Sequence, residues 1–130
     1  MPKISISTQK QTHFINISEE IANCIPSDFN GICNIFCTHT TGGLTINENA
    51  DPAVLTDLTN DLERLIPWKN SYYTHMEGNS AAHLKSSLMG VSLNVPVQNG
   101  KMILGIWQGI YFCEFDGPRN RSVTVTMISS

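Results

Sequence analysis

Alternation of apolar and polar residues dominates this chain, and helical periodicity is confined to a few stretches. Lys3–Ser7 and Phe14–Ile17 alternate and are expected as strands, with Thr12 and His13 in the connection. Ser18-Glu19-Glu20 opens a short helix that ends near Pro26 and Ser27. Ser18 suits the N-cap, and the two acids suit the positive end of the helix dipole. Gly31 releases a strand over Ile32–Thr40, with His39 on the same face as Cys33, Ile35 and Cys37. Gly42-Gly43 interrupts this strand before Leu44–Asn47 resumes it, which points to a bulge or a close backbone approach. The clearest helix follows. Asp51 is its N-cap and Pro52 its first residue. Leu55, Leu58, Leu62 and Leu65 form its apolar stripe, with Val54 and Ile66 beside it, and Pro67 stops it. A second helix is expected from Ser80 through Ala81–Leu88, closed by Gly90.

The last forty residues read as a meander. Asn99-Gly100 is a type I′ hairpin signal. A two-residue loop pairs Gln98 with Lys101 and Val97 with Met102. Val91, Leu93, Val95, Val97, Met102, Leu104 and Ile106 then share one face, so turn and alternation agree. Pro96 moves its strand toward an edge or bulge. Gly105–Ile110 is a second glycine-bounded stretch, Gly117-Pro118 a turn, and Val123–Ile128 the last strand. The sum is an α+β domain: an antiparallel β-sandwich with two to three flanking helices.

Composition narrows the class. The chain has 130 residues, so a single domain over 1–130 is expected. A (β/α)8 barrel takes about 250 residues and is excluded. Only 15% of residues are charged, where about 25% is ordinary. Ser, Thr and Asn together number 35 and fill the difference. Such a weakly charged, amide- and hydroxyl-rich surface suits close approach to a subunit, a phosphate or a metal. The net charge of −3 and eight scattered basic residues leave no basic stripe for nucleic acid. No run approaches the ~18 apolar residues of a membrane span, and the first residues lack the pattern of a signal peptide. Cys33 and Cys37, four apart in one strand, lie ~13 Å apart, too far for a disulfide. With Cys24 and Cys113 they are expected as reduced thiols in a cytoplasmic protein.

Candidate chemistry gathers in two segments, His39–Pro52 and His75–Ser87, which hold three of the four histidines. Neutral imidazole with carboxylate suits zinc or a similar divalent ion. His75 and His83 lie where a loop meets a helix, a spacing that permits convergence without requiring it. They read equally as surface residues, and His39 as a satisfied core histidine. Gly78-Asn79-Ser80 leads into a helix N-terminus, whose free N–H groups attract phosphate. Lys85 one turn on supplies a positive charge, and Ser86 and Ser87 supply hydroxyls; Ser80 also reads as an ordinary N-cap. Trp107-Gln108 reads as packing or as ligand stacking, and Asp116-Gly117-Pro118-Arg119 as a turn or as a carrier for Arg119 on a phosphate.

Four co-linear motifs in these segments closely resemble one family. They are His39-Thr-Thr-Gly-Gly-Leu-Thr-Ile-Asn-Glu-Asn-Ala-Asp-Pro52, His75-x-Glu-Gly-Asn-x-x-x-His-x-Lys-Ser-Ser-x-x-Gly90, Gly105-x-Trp-Gln-Gly-Ile110 and Glu114-Phe-Asp-Gly-Pro-Arg119. The sequence resembles the YjbQ family, also labelled secondary thiamine-phosphate synthase enzyme, over nearly its whole length. Ile106 departs from that pattern, which usually has Thr before Trp-Gln. The resemblance implies a β-sandwich assembled as a homotrimer. It implies a divalent metal, zinc or magnesium, on His39, His75 and His83, with Asn47, Glu48, Asp51 and Lys85 nearby. It also implies a weak transferase activity that joins a pyrimidine diphosphate to a thiazole phosphate and releases pyrophosphate. In that scheme the helix at Ser80, with Lys85, holds the phosphate, and Glu48 or Asp51 orients a ligand or acts as base. Asn47, Gly78, Asn79, Ser80, Ser86, Trp107, Gln108 and Arg119 would contact the ligand. The competing expectation is a non-catalytic homotrimeric module that binds a small phosphorylated ligand or a metal.

Overall fold

Two antiparallel sheets and a helical layer stack in this chain, whose computed structural model describes residues 2–130. In chain order the elements are β1 (Lys3–Ser7), β2 (His13–Asn16), α1 (Ser18–Ala22), β3 (Gly31–Cys37), β4 (Gly42–Glu48), α2 (Pro52–Leu65), α3 (Ser80–Met89), β5 (Ser92–Gln98), β6 (Lys101–Met102), β7 (Gln108–Glu114) and β8 (Asn120–Ser129). Strands β1-β8-β3-β5-β6 form one sheet and β2-β7-β4 the other. Their facing sides enclose the main core. Cys33, Ile35, Val95, Val123 and Val125 of the larger sheet meet Leu44, Ile110 and Phe112 of the smaller. The other face of the smaller sheet carries a second core, where Tyr111, Cys113 and Phe115 pack against Leu62 of α2 and Ala82 of α3. The architecture is the expected α+β sandwich with flanking helices.

Strand β7 is the element that the alternation analysis misses. It is the middle strand of the smaller sheet, and every residue from Gly109 to Glu114 is buried. A strand covered on both faces has no polar face, so its sequence shows no period of two. The hairpin is as expected. Asn99 and Gly100 have φ of 50° and 76°, and Val97 pairs with Met102 and Gln98 with Lys101. The shared apolar face continues through Leu104, which packs on the core, and stops before Ile106, which is exposed. Pro96 is tolerated at the end of the β5–β6 pairing, where its carbonyl accepts from the Ile103 N–H at 2.8 Å and no N–H of its own is required.

Three local expectations are corrected. Ser18 is not an N-cap: Ile17 takes that position without a side-chain cap, and the Ser18 hydroxyl accepts from the Ile110 N–H at 2.8 Å. Helix α1 therefore serves to pin β7 and ends at Ala22, well short of Pro26. Gly42-Gly43 is not a bulge in a continuous strand. The chain leaves the larger sheet after Cys37 and enters the smaller one at Gly42. The close backbone approach is real, since a Cβ on Gly43 would lie 2.8 Å from the Gly90 carbonyl oxygen at the end of α3. In α2, Asp51 caps as expected, accepting from the Ala53 N–H at 2.9 Å. Its leucine stripe is unevenly used: Leu62 is buried and Leu65 is 63% exposed.

All four cysteines are unpaired thiols. Burial pushes the Cys33 thiol up to about 11 and moves Cys37 and Cys113 in the same direction, so these sulfurs pack as small apolar groups. No helix among the described residues is long and apolar enough to cross a membrane.

Candidate functional site

The start of β4 is the meeting point of the first group of candidates. Helix α3 lies across it: the Ser86 hydroxyl donates to the Gly42 carbonyl at 2.7 Å, and the Leu44 N–H donates to the Gly90 carbonyl at 3.0 Å. This fixes His83 and Ser87 beside the segment between β3 and β4, where His39 sits. His39 and His83 line one cleft with Ser87 and Val91. His83 also lines a second cleft with His75, Ser80 and Leu84, and there the His75 and His83 rings meet edge to face with centroids 5.3 Å apart. The three histidines therefore border two clefts that adjoin at His83 along α3, together called the groove.

His39 stands just past the end of β3, half-buried, with Phe112 edge-on at 6.3 Å. Its Nε2 faces the Ser122 backbone, 3.1 Å from the N–H and 3.2 Å from the carbonyl oxygen. One tautomer accepts from that N–H; the other donates to that oxygen and leaves Nδ1 as an acceptor. Burial lowers its pKa, and the nearby Arg121 charge lowers it further, so the neutral ring is favoured.

The N-terminus of α3 is built differently from the expected cap. Asn79, not Ser80, is the N-cap, and it makes no side-chain bond to the helix. Its Nδ2 instead donates to Asp116 Oδ2 at 2.9 Å, and its buried Oδ1 has no partner. Asp116 also accepts from Arg119, at 2.7 Å through its carbonyl and 2.9 Å through its carboxylate, which holds the half-exposed guanidinium near this end of α3. Gly78, at φ +74°, turns the chain into the helix in the left-handed region that favours glycine. First-turn N–H groups uncapped by a side chain meet the Asp116–Arg119 ion pair at this end of α3.

Lys85 is not poised at that end. It is 2% exposed, and its Nζ lies 2.8 Å from Glu63 on α2, so its charge ties the two helices together. Ser86 is likewise committed, through its bond to Gly42.

The second group of candidates lies at the far end of β4, a seven-residue strand roughly 20 Å long. There Asn47 Oδ1 accepts from the Glu48 N–H, Glu48 Oε2 accepts from the Ala50 and Asp51 N–H groups, and Asp51 caps α2. Asn49 holds the loop that carries Trp107, donating to the Ile106 and Gln108 carbonyls, and Gln108 Oε1 accepts from the Gly105 N–H at 2.7 Å. Trp107 is exposed. One chain therefore does not bring Glu48, Asp51, Trp107 or Gln108 to the histidines.

The donors for a metal are two imidazoles of α3 and the loop before it, His75 and His83. Among the described residues, no three His, Cys, Asp or Glu side chains converge closely enough to hold an ion. His75 and His83 supply two imidazoles, and protein-bound catalytic zinc takes three protein ligands.

The groove extends further than the motifs suggested. His75 also borders a cleft of about 500 Å³ formed by the loop between α2 and α3, with Trp68, Lys69, Tyr73 and Gly78 in its walls. These loop residues carry no periodicity and no motif, and only the length of the loop singles them out.

The fold and groove define a small α+β sandwich with a histidine-lined groove along one helix. A family profile described as UPF0047 protein YjbQ-like matches residues 2–130. The chain is 47% identical to the UPF0047 protein YugU of Bacillus subtilis over 127 residues, 96% of each chain. It is 49% identical to the UPF0047 protein MJ1081 of Methanocaldococcus jannaschii over 128 residues, 97% of this chain and 92% of that one. The crystal structure of a YjbQ/UPF0047 family protein from Clostridium acetobutylicum superposes with a TM-score of 0.93 at 45% identity, covering 98% of this chain and all of the other. A conserved hypothetical protein from Thermus thermophilus gives 0.93 at 40%, with the same coverage. The chain belongs to the YjbQ/UPF0047 family.

Proposed function

We propose that the groove along α3 binds a small phosphorylated molecule and that the protein transfers a group at that phosphate, with thiamine-phosphate synthesis as a secondary activity. The observation that carries this reading is the packing of His75 against His83 beside the N-terminus of α3, with His39 across the next cleft. The uncapped first-turn N–H groups and Arg119 would hold the phosphate oxygens. His75 or His83 would act as the general acid toward the oxygen of the departing group.

A divalent cation, zinc or magnesium, would bind at His75 and His83 with further ligands from the phosphate itself or from another subunit. The reading also takes the protein as a cytoplasmic homotrimer. The middle of the larger sheet's outward face favours assembly: Ser5, Ser122, Thr124, Asn34, Phe36, Ser92 and Asn94 carry no charge, and the charged Lys3 and Lys101 stand on its two edge strands. So do the exposed Leu84, Leu88 and Val91 at the groove.

The assay is thiamine-phosphate formation from the pyrimidine diphosphate and the thiazole phosphate. Wild type is expected above a mock purification and His83→Ala at background with its circular dichroism unchanged. Wild type at background sinks the transferase claim. Metal content checks the cation: less divalent metal is expected in His75→Ala and His83→Ala than in wild type, and equal content removes it. The engagement of Lys85 with Glu63 and of Ser86 with Gly42 favours a second reading, a module that binds without turnover. Saturable calorimetric binding with no product would select it.

A further inference from the structure

We infer that the loop carrying Trp107 is an interaction surface that seats on α3 of a second copy of this chain, so that the second copy walls the groove and brings its Glu48 to the rim; this rests on the homotrimer reading. Two apolar patches stand in water on the described surface and do not meet each other. One is the loop before β7, where Ile106 is 80% exposed and Trp107 61%. The other is the strip Leu84, Leu88 and Val91, on and just after α3, between 42% and 64% exposed. The strip belongs to the helix tied to Gly42 and Leu44 at the start of β4, whereas the loop is tied to Asn49 just past its end. With the length of β4 between them, roughly 20 Å, a chain cannot cover its own strip with its own loop.

The loop holds its indole out in a fixed place. Asn49 Nδ2 donates to the Ile106 carbonyl at 3.3 Å and to the Gln108 carbonyl at 3.0 Å, and the Asn49 N–H donates to the Trp107 carbonyl at 2.9 Å. Gln108 Oε1 accepts from the Gly105 N–H at 2.7 Å. A tryptophan positioned in advance loses little freedom on binding, and such rings anchor protein interfaces. No residue of 103–108 is charged, and of residues 83–92 only Lys85 is, where Glu63 pairs it. Neither patch therefore repels another copy. Because the two patches differ, the contact is heterologous: each copy gives its loop to one neighbour and its strip to another, and three copies close into a ring.

The strip is also part of the groove. Val91 lines the cleft of His39 and His83, and Leu84 lines the cleft of His75 and His83. A second copy seated on the strip covers both clefts from outside. Its Glu48 rides beside its Trp107, with Oε2 taken by the Ala50 and Asp51 N–H groups and Oε1 accepting no hydrogen bond among the described residues. The groove thereby gains a carboxylate from across the contact.

Photocrosslinking on the full chain tests this. The photoreactive p-benzoylphenylalanine in place of Trp107 is expected to join residues 84–91 of another copy, read by peptide mass spectrometry on a mixture of isotope-labelled and unlabelled protein. The same probe in place of the exposed Asn47 is expected to join residues 75–83 of another copy. Two variants give an independent check. Trp107→Glu and Leu88→Glu should each fall from the mass of three chains to that of one in light scattering, with circular dichroism unchanged. Mixed at high micromolar concentration they should give the mass of two chains, because the first keeps its strip and the second its loop. Wild type at the mass of three chains, with crosslinks from position 107 falling elsewhere or the mixture staying monomeric, overturns the contact and leaves the homotrimer standing. Crosslinks from position 107 to the strip with none from position 47 to residues 75–83 uphold the contact and remove Glu48 from the groove. A monomeric wild type overturns contact and homotrimer together, while the transfer reading stands or falls by its own assay.

Discussion

Glu114 has no exposed surface, and four donors surround its carboxylate. Thr8 Oγ1 and Arg121 Nε reach Oε1 at 2.8 and 2.7 Å, while the Asp116 N–H at 3.0 Å and Arg121 Nη2 reach Oε2. Burial pushes its pKa up, and these bonds, those of Arg121 foremost, outweigh it and hold the carboxyl below the ordinary range. Glu114→Gln would leave the Arg121 charge buried without its partner, at a cost of about 3–5 kcal/mol measurable by urea denaturation. Because the folded pKa is depressed, the stabilisation is present above the ordinary carboxylate range and is lost as pH falls through the folded value. His39 adds to the acid sensitivity. Its lowered pKa means the unfolded chain binds a proton first, so stability declines as pH drops below about 6.5. His39→Gln is expected to flatten the fall in thermal stability as pH drops below about 6.5. Part of the slope should remain, because His13 is lowered by burial and by Lys10 in the same sense.

At the scale of elements, α2 shows how a readable pattern is used unevenly. Its leucines repeat at helical spacing, yet only Leu62 is buried in the second core, while Leu65 is largely exposed. Leu62→Ala is expected to cost roughly 2–4 kcal/mol through lost burial and a cavity. Leu65→Ala should stay within about 0.5 kcal/mol, as surface changes do. Equal effects in chemical denaturation would mean that α2 seats all its leucines alike. Helix α3 is positioned by contacts that no helical period reports: Ser86 on Gly42, Gly90 on Leu44, and Lys85 on Glu63. These place His83 between His39 and His75.

Among the described residues the helices pack chiefly on strands of the smaller sheet, and an apolar strip, Leu84, Leu88 and Val91, is exposed beside the groove. Under the proposed assembly, light scattering at micromolar concentration should give the mass of three chains. Leu88→Glu, a change at an exposed position, should reduce that mass without altering the circular dichroism spectrum. A wild-type monomer would mean that the low charge of this surface has another cause.

Much of the fold was legible along the chain because its causes are local. Asn99-Gly100 sets the hairpin register, Asp51-Pro52 starts α2, Gly90 closes α3, and alternation marks β1, β5 and β8. Strand β7 was not legible, because burial on both faces erases the alternation that identifies a strand. The candidate site was legible as a set of residues but not as a place. The motif His39–Pro52 is continuous in sequence, yet it runs the length of β4, so His39 and Asp51 end at opposite ends of that strand. Lys85 looked available and is buried in an ion pair, while Trp68 and Tyr73 carried no motif and line a large part of the groove. Spacing along a chain determines which element a side chain rides on and which face it takes. Which ends of those elements meet is decided only when two sheets stack and a helix is laid over one of them, because that arrangement rests on contacts between residues far apart in sequence.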